Sequence, residues 1–397
     1  MLHIGNKSYN LGIQKGKILY IGGNKLGPII PDEVPSAWYN WKTPVIVSVE
    51  NGGVVYSGST MMGYAYKDNV YVAITSTIGI CRKSTDGRTW TNFNPQVYSG
   101  IAIKGNEWFG VEHSSQYEHI KHTTTPTADA WTSGPDFISG DWGGANAIAC
   151  AANDLMAIIT RSKGGTTEIW ATSDLTVAPT LATTINAQAN DGYNNTFCFS
   201  DVFYVIAGNI IARSSDGTNW STFNFTIDST SYNFGSLTCI ENRLIASNVD
   251  GTVVAYSDDN GETWAIAHTF ESSSATNSFV YTANGIVYFT RDGETKSYVS
   301  SDNGLSWQEI NSIGNASRWL AVYNGSEMSV ISGDTNYFVT SSFSSCYTLD
   351  NKPTTSSVVY DNPGIISELT VLEGGSQSIT LSDNKIYNRN SSGDIII

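Results

Sequence analysis

Short apolar runs alternate with polar pairs along most of this chain. Tyr64–Lys67 is followed by Asp68-Asn69 and then Val70–Thr75. Leu237–Ile240, Glu241-Asn242 and Arg243–Ser247 repeat the arrangement, as do Phe279–Thr282, Ala283-Asn284-Gly285 and Ile286–Thr290. Runs of Val, Ile, Tyr and Phe separated by Asn, Asp or Gly predict strand, tight turn, strand. No stretch sustains a helical period.

A polar motif follows these strand pairs, Ser-x-Asp-(x)-Gly-x-x-Trp. A long form runs from Ser257 through Asp259 and Gly261 to Trp264, and from Ser300 through Asp302 and Gly304 to Trp307. A form one residue shorter runs from Ser84 through Asp86 and Gly87 to Trp90, and from Ser214 through Asp216 and Gly217 to Trp220. Degenerate copies begin near Thr123, ending at Trp131, at Thr172-Ser173-Asp174 and at Thr340-Ser341-Ser342. Trp90 and Trp131 are 41 residues apart, Trp220 and Trp264 are 44 apart, and Trp264 and Trp307 are 43 apart. Three strands, an Asp-Gly or Asn-Gly turn and a fourth strand beginning at Trp, repeated every ~43 residues, match one propeller blade. Such a unit buries both faces only by stacking on its neighbours. Asp and Ser side chains can bond backbone N–H groups within the turn, and Gly supplies the positive φ. The Trp is expected to pack between blades.

The motif and its near-constant spacing resemble the Asp-box (BNR) repeats of sialidase-like propellers. The resemblance implies an all-β fold, a β-propeller of seven four-stranded blades, with eight as the alternative. It also implies that the boxes are structural hairpins away from the ligand face, so Asp86, Asp216, Asp259 and Asp302 are read as turn residues and not as acids or metal ligands. The propeller is expected over 36–350. Residues 351–397, with strand-like Leu369–Leu372, Gln377–Leu381 and Lys385–Tyr387 and box-like Ser391-Ser392-Gly393-Asp394, are expected to close it or form a further blade. Val45–Val49 and Val54–Tyr56 could add strands from the other end.

Residues 1–35 lie outside the repeat. They carry two related pieces, Ile4-Gly5-Asn6-Lys7 and Ile21-Gly22-Gly23-Asn24-Lys25, each after an extended apolar pair. Pro28, Pro31 and Pro35 then mark a linker that is neither helical nor central in a sheet. These pieces resemble the attachment segments of bacteriophage tail and baseplate proteins, which implies an N-terminal attachment segment centred on Ile4, Gly5, Asn6, Lys7, Ile21, Gly22, Asn24 and Lys25. The plainer alternative is a hairpin on the propeller rim.

Charge sharpens the division. The whole chain has a net charge of −15, yet residues 1–42 hold five lysines against two acids. An acidic chain is a poor partner for nucleic acid, which needs a basic face. Only 14% of residues are charged, below the roughly 25% usual for soluble domains, so the surface must hydrogen-bond largely without charge. No apolar run approaches the roughly 18 residues that span a membrane, and Met1 to Asn10 lacks a signal-peptide core. The five cysteines are odd in number and form no CxxC, which argues against a disulfide framework or a zinc site. Cys150, Cys198 and Cys239 fall in the first strand of their repeats, where a small apolar side chain suits the central channel.

Candidate chemistry is thin. The resemblance would allow a sialidase, which implies an arginine cluster, a Tyr nucleophile with a Glu partner and an acidic Asp. The family's Arg-Ile-Pro motif is absent, and Arg82, Arg88, Arg213, Arg243 and Arg291, five of the eight arginines, sit beside boxes or strand turns. His113, His119 and His122, with Glu112 and Glu118, read as a solvated loop rather than a metal site. There is no phosphate loop, nucleophile elbow or HExxH. The expectation is a non-enzymatic structural or binding protein of a bacteriophage particle, without cofactor or metal. It would be made in the host cytoplasm, joined to other virion proteins through its N-terminal segment, and oligomeric in the assembly. A cell-surface glycan or protein receptor is a second candidate partner. The alternatives are a glycoside hydrolase on a propeller scaffold and a cellular assembly scaffold.

Overall fold

The computed structural model describes residues 45–57, 61–75, 80–113, 117–139, 146–189, 195–271, 275–311 and 319–343, and strand backbone at both chain ends. The chain divides into two compact units, Val45–Phe343 and the combined ends Met1–Pro44 with Ser344–Ile397.

Val45–Phe343 is an all-β ring of seven four-stranded antiparallel blades, a seven-bladed β-propeller. Blades 1 to 6 are each built from consecutive strands, beginning at Met61, Ser99, Asn146, Thr196, Phe234 and Ser278. Blade 7 is composite. Its inner strands are Trp319–Tyr323, Met328–Ser332 and Thr335–Phe343, and its outermost strand is Val45–Val54 from the other end of the unit. The register runs from Val45↔Phe343 to Val54↔Thr335, with a bulge at Asn336/Tyr337. The ring therefore closes through residues 45–54, and the described strands of residues 351–397 pair with one another in a sheet of their own. The copy read at Thr340-Ser341-Ser342 is no turn: those residues lie inside the strand Thr335–Phe343. Blade 7 takes its fourth strand from elsewhere in the chain, so no hairpin is needed there.

The turns explain the repeat. First and second strands are joined by two-residue turns such as Asp68-Asn69, with φ of 52° and 61°, the left-handed pair that a tight hairpin demands. The first strands of neighbouring blades approach each other around the axis. Cys198 and Cys239 lie on such strands, half-buried and free, while Cys81 lies buried on a third strand. Burial pushes the Cys81 thiol up to about 12 and Cys198 to about 11. The backbone of Cys150 is also on a first strand; its side chain and Cys346 fall outside the described residues.

Apolar burial is divided among seven clusters, and each is a seam between consecutive blades. Phe225 and Phe234 stack at 4.3 Å and meet the Trp264 ring edge-on between blades 4 and 5. Phe270 and Phe289 do the same with Trp307 between blades 5 and 6. Each blade has both faces in such a seam, which is why the ring, and not the blade, is the unit that hides apolar area.

In the other unit, Leu2–Ile4 pairs with Lys7–Tyr9 and Ile18–Ile21 with Asn24–Pro28. The innermost pairs are Ile4↔Lys7 and Ile21↔Asn24, so both copies of the N-terminal motif fall at the same spacing between paired strands. Gly5, Asn6 and Gly22 themselves fall outside the described residues. Trp41–Lys42 pairs with Thr348–Leu349, and Ile366–Val371, Gln377–Leu381, Ile386–Arg389 and Ile395–Ile396 form a four-stranded sheet. Ser391-Ser392-Gly393-Asp394 falls outside the described residues.

Candidate functional site

Strand direction gives the ring two unlike ends. One carries the turns between strands 1 and 2 and the box hairpins between strands 3 and 4. The other carries the turns between strands 2 and 3 and the connections from one blade to the next.

At the box end the four full motifs repeat one hydrogen-bond scheme. The serine hydroxyl accepts from the glycine amide, at 2.8 Å for Ser84/Gly87, Ser214/Gly217 and Ser257/Gly261 and 2.9 Å for Ser300/Gly304. It also donates to the aspartate, at 2.9, 3.0, 2.7 and 2.8 Å for Asp86, Asp216, Asp259 and Asp302. The aspartate in turn accepts from backbone amides further on: Arg88 and Thr89, Thr218 and Asn219, Thr263, and Ser306. Hydrogen bonds from the Thr89 amide, then from the Arg88 amide and the Ser84 and Thr89 hydroxyls, hold Asp86 at about 2. Bonds from the Asn219 amide and side chain hold Asp216 lower still. The long form's extra residue, Asn260 or Asn303, sits at φ of 59° or 58°, so the insertion is absorbed without breaking the scheme. In three boxes the indole N–H of Trp220, Trp264 or Trp307 donates to its own glycine carbonyl.

These aspartates have their oxygens engaged within the turn. Asp259→Ala is therefore expected to cost about 1–2 kcal/mol of stability through lost turn bonds. Ligand binding should be unchanged in the folded fraction. Lost binding at an unchanged melting temperature would contradict a turn role for Asp259.

The box end is also where acid concentrates. Its turns carry Asp68, Asp154, Asp201, Glu241 and Glu327 besides the box acids, against Arg88 alone. The blade-to-blade connections differ. Four of them, residues 94–98, 186–195, 225–233 and 270–277, are mainly Asn, Ser, Thr, Tyr and Ala, with the acids Asp191, Asp228 and Glu271 and no lysine or arginine, while 312–318 carries Arg318. Between blades 4 and 5, Thr226–Ile227 pairs with Thr230–Ser231 in a miniature hairpin whose tip, Asp228-Ser229, is exposed with φ of 48° and 67°. Asn209 donates to the Ser231 hydroxyl, and Tyr232 lies half-buried beside Phe225. Tyr with Ser and Asn is the composition of adaptable recognition loops: rigid amphipathic area plus uncharged hydrogen bonding.

His119, His122 and Glu118, expected in a solvated loop, lie on the third strand of blade 2, Tyr117–Thr123. His119 and His122 lie on opposite faces of it. Each is tied to a separate carboxylate, His119 to Asp136 at 2.6 Å and His122 to Glu107. Lys121, nearly buried, reaches Glu112 at 3.1 Å, Gln96 at 3.0 Å and Ser133 at 2.7 Å. Polar residues can occupy this strand because neighbouring strands supply a partner to each. Among the described residues no group of three or more His, Cys, Asp or Glu could hold a metal ion. The His113 side chain falls outside them.

One charged cluster has no counterpart in the motif reading. Arg161, on the second strand of blade 3, is 2% exposed and lies 3.5 Å from both Glu118 of blade 2 and Glu168 of its own blade. Burial pushes Glu118 up to about 7, against the pull of Arg161 and with a small push from Glu168. No local signal betrays Arg161 in the sequence, because its partners are distant strands.

The fold and the two ends define a propeller with structural turns at one end and the blade-to-blade connections at the other. Solved propellers of varied function share the fold. YCF48 from Cyanidioschyzon merolae is 14% identical, with a TM-score of 0.53 over 73% of this chain and 98% of that one. A catalytically inactive virginiamycin B lyase from Staphylococcus aureus, solved with quinupristin, is 12% identical, with a TM-score of 0.57 over 74% and 99%. The RRP9 WD40 repeats are 9% identical, with a TM-score of 0.50 over 76% and 100%. No family model matches the chain, and no curated protein matches it.

Proposed function

We propose that this chain is a non-enzymatic binding protein of a bacteriophage particle. Its Asp-box propeller would present the blade-to-blade connections to a receptor, and its terminal segment would join it to other virion proteins. The observation that carries the reading is the doubled N-terminal motif: two strand pairs whose innermost partners are each three residues apart, basic in sequence, grouped in a unit distinct from the ring. Exposed Ser, Thr and Asn with half-buried Tyr at the connection end support contact with a glycan or an uncharged protein surface, where stacking and neutral hydrogen bonds suffice. Another propeller, YCF48, has been solved bound to D1 peptide, so a peptide is within the reach of the fold.

The decisive experiment is whether the protein co-purifies with intact virions through successive gradients. The enzyme alternative is tested with a chromogenic sialoside, and no sialic acid release is expected. Arg82, Arg88, Arg213, Arg243 and Arg291 lie on separate blades or are held by stacking and carboxylates, so they do not assemble a carboxylate-binding cluster. Turnover that tracks the protein through several purification steps would overturn the non-enzyme reading; binding on a glycan array would not.

A further inference from the structure

We propose that the box of blade 1 is a clasp that keeps the ring shut, a task the other full boxes do not share. Blades 1 to 6 are continuous in the chain, so closure depends on blade 7 alone, where Val45–Val54 meets Thr335–Phe343. That closing strand is weakly anchored by its side chains. Of its described side chains, 47–54, most face solvent, with Val49 at 42% and Val54 at 57% exposure. Backbone pairing alone does not distinguish this strand from any other extended segment.

The blade 1 box grips both sides of the junction. Arg88 forms a fork on Glu50 of the closing strand, Nη2 to Oε2 at 2.9 Å and Nε to Oε1 at 3.2 Å. The same guanidinium lies 3.4 Å from Glu327, in the turn between the first two strands of blade 7, and stacks 3.8 Å above the ring of Phe338, on its third strand. A planar fork that also stacks is a geometry lysine cannot supply. Phe338 in turn lies so close over Gly52 and Gly87 that a Cβ at either would come within 2.6 or 2.7 Å of the ring.

Beneath this outer layer is a buried one. Asn336 is fully buried and donates through Nδ2 to the Gly87 carbonyl at 2.8 Å. Its Oδ1 accepts from Ser329, which shares a 2.7 Å hydrogen bond with the Tyr64 hydroxyl of blade 1. In the boxes of blades 4, 5 and 6 the equivalent glycine carbonyl is bound by that box's own tryptophan. In blade 1 the bond crosses to blade 7 instead. The residue after the box glycine also differs: Arg88 here, against Thr218, Glu262 and Leu305. The crossing bond leaves the Trp90 indole N–H buried without a partner, so the box trades a bond within its own turn for one that crosses the junction.

The test is native-state hydrogen exchange read by mass spectrometry on the full-length protein. In Arg88→Met and in Asn336→Leu the amides of Val45–Val54 should exchange at least about tenfold faster than in wild type, as the strand opens ahead of the rest. Arg88→Lys should fall between. Asp216→Ala, which damages a full box away from the junction, is the control; at equal loss of melting temperature it should leave exchange in residues 45–54 within about twofold of wild type. The clasp is overturned if Asp216→Ala speeds that strand as much, or if neither clasp variant speeds it. Arg88 is partly exposed, so Arg88→Met keeps the test decisive should Asn336→Leu fail to fold.

Discussion

Removing residues 1–35 is expected to leave a folded ring with an unchanged melting temperature and to reduce incorporation into the parent particle to background. The physical basis is that the ring's own pairing begins at Val45. A cut at residue 35 therefore removes no strand from any blade. The two hairpins it does remove have strands of three to five residues, and hairpins of that size are marginal in water without a partner surface. Thermal unfolding of the truncated protein, with quantitation of its share in gradient-purified particles, measures both halves of the prediction. A truncated protein that unfolds would make the segment part of the ring. One that still assembles would move the anchor to the other chain end, most simply residues 351–397.

Arg161→Ala is expected to be the most damaging single substitution in the ring, by about 3–5 kcal/mol, because it takes the cation from Glu168 and from the ionised fraction of Glu118 at a buried seam. For a unit of this size the melting temperature should fall by roughly 10 °C. Glu118 gives the loss a pH signature. Its carboxyl binds a proton more tightly folded than unfolded, about 7 against 4.5. The folded state thus holds the extra proton between those values, and stability from this group falls as pH rises through that window, then levels off above it. The slope cannot exceed about 1.4 kcal/mol per pH unit. Glu118→Gln should flatten it, and Arg161→Met combined with Glu118→Gln should recover much of what Arg161→Ala loses. Denaturant titrations at pH 5, 6, 7 and 8 provide the check. Loss below about 1 kcal/mol for Arg161→Ala would mean that water already solvates the site.

The parts legible in the sequence are those whose causes are local. Ser, Asp and Gly within four residues make a turn on their own, so Ser84–Gly87 or Ser300–Gly304 announces a blade wherever it occurs. Asp68-Asn69 and Asn284-Gly285 announce hairpins for the same reason. What was not legible depended on distant strands. Thr340-Ser341-Ser342 has the residue types of a worn box but pairs with Ile46–Ser48, some 290 residues earlier, and becomes strand. Tyr117–Thr123 has the polarity of a loop, yet Asp136, Glu107, Glu112 and Arg161 make it a strand. Arg88 and Asn336 look like ordinary turn and strand residues until blade 7 is seen to be shared by the two ends of the ring. The candidate recognition connections carry no motif at all, and only the strand order reveals that they share one end.

The shared blade has a mechanical consequence. Val45 and Phe343 are paired neighbours, so the chain enters and leaves the ring at one point on its rim. A pull applied in one direction through both flanking segments enters the ring through two covalent strands side by side and does not peel one from the other. A pull through one segment alone would instead peel Val45–Val54 from Thr335–Phe343 one pair at a time. A tug shared by both flanking segments therefore loads the closing pair without opening it, whereas a single nick at Pro44 would convert the same tug into an unzipping force.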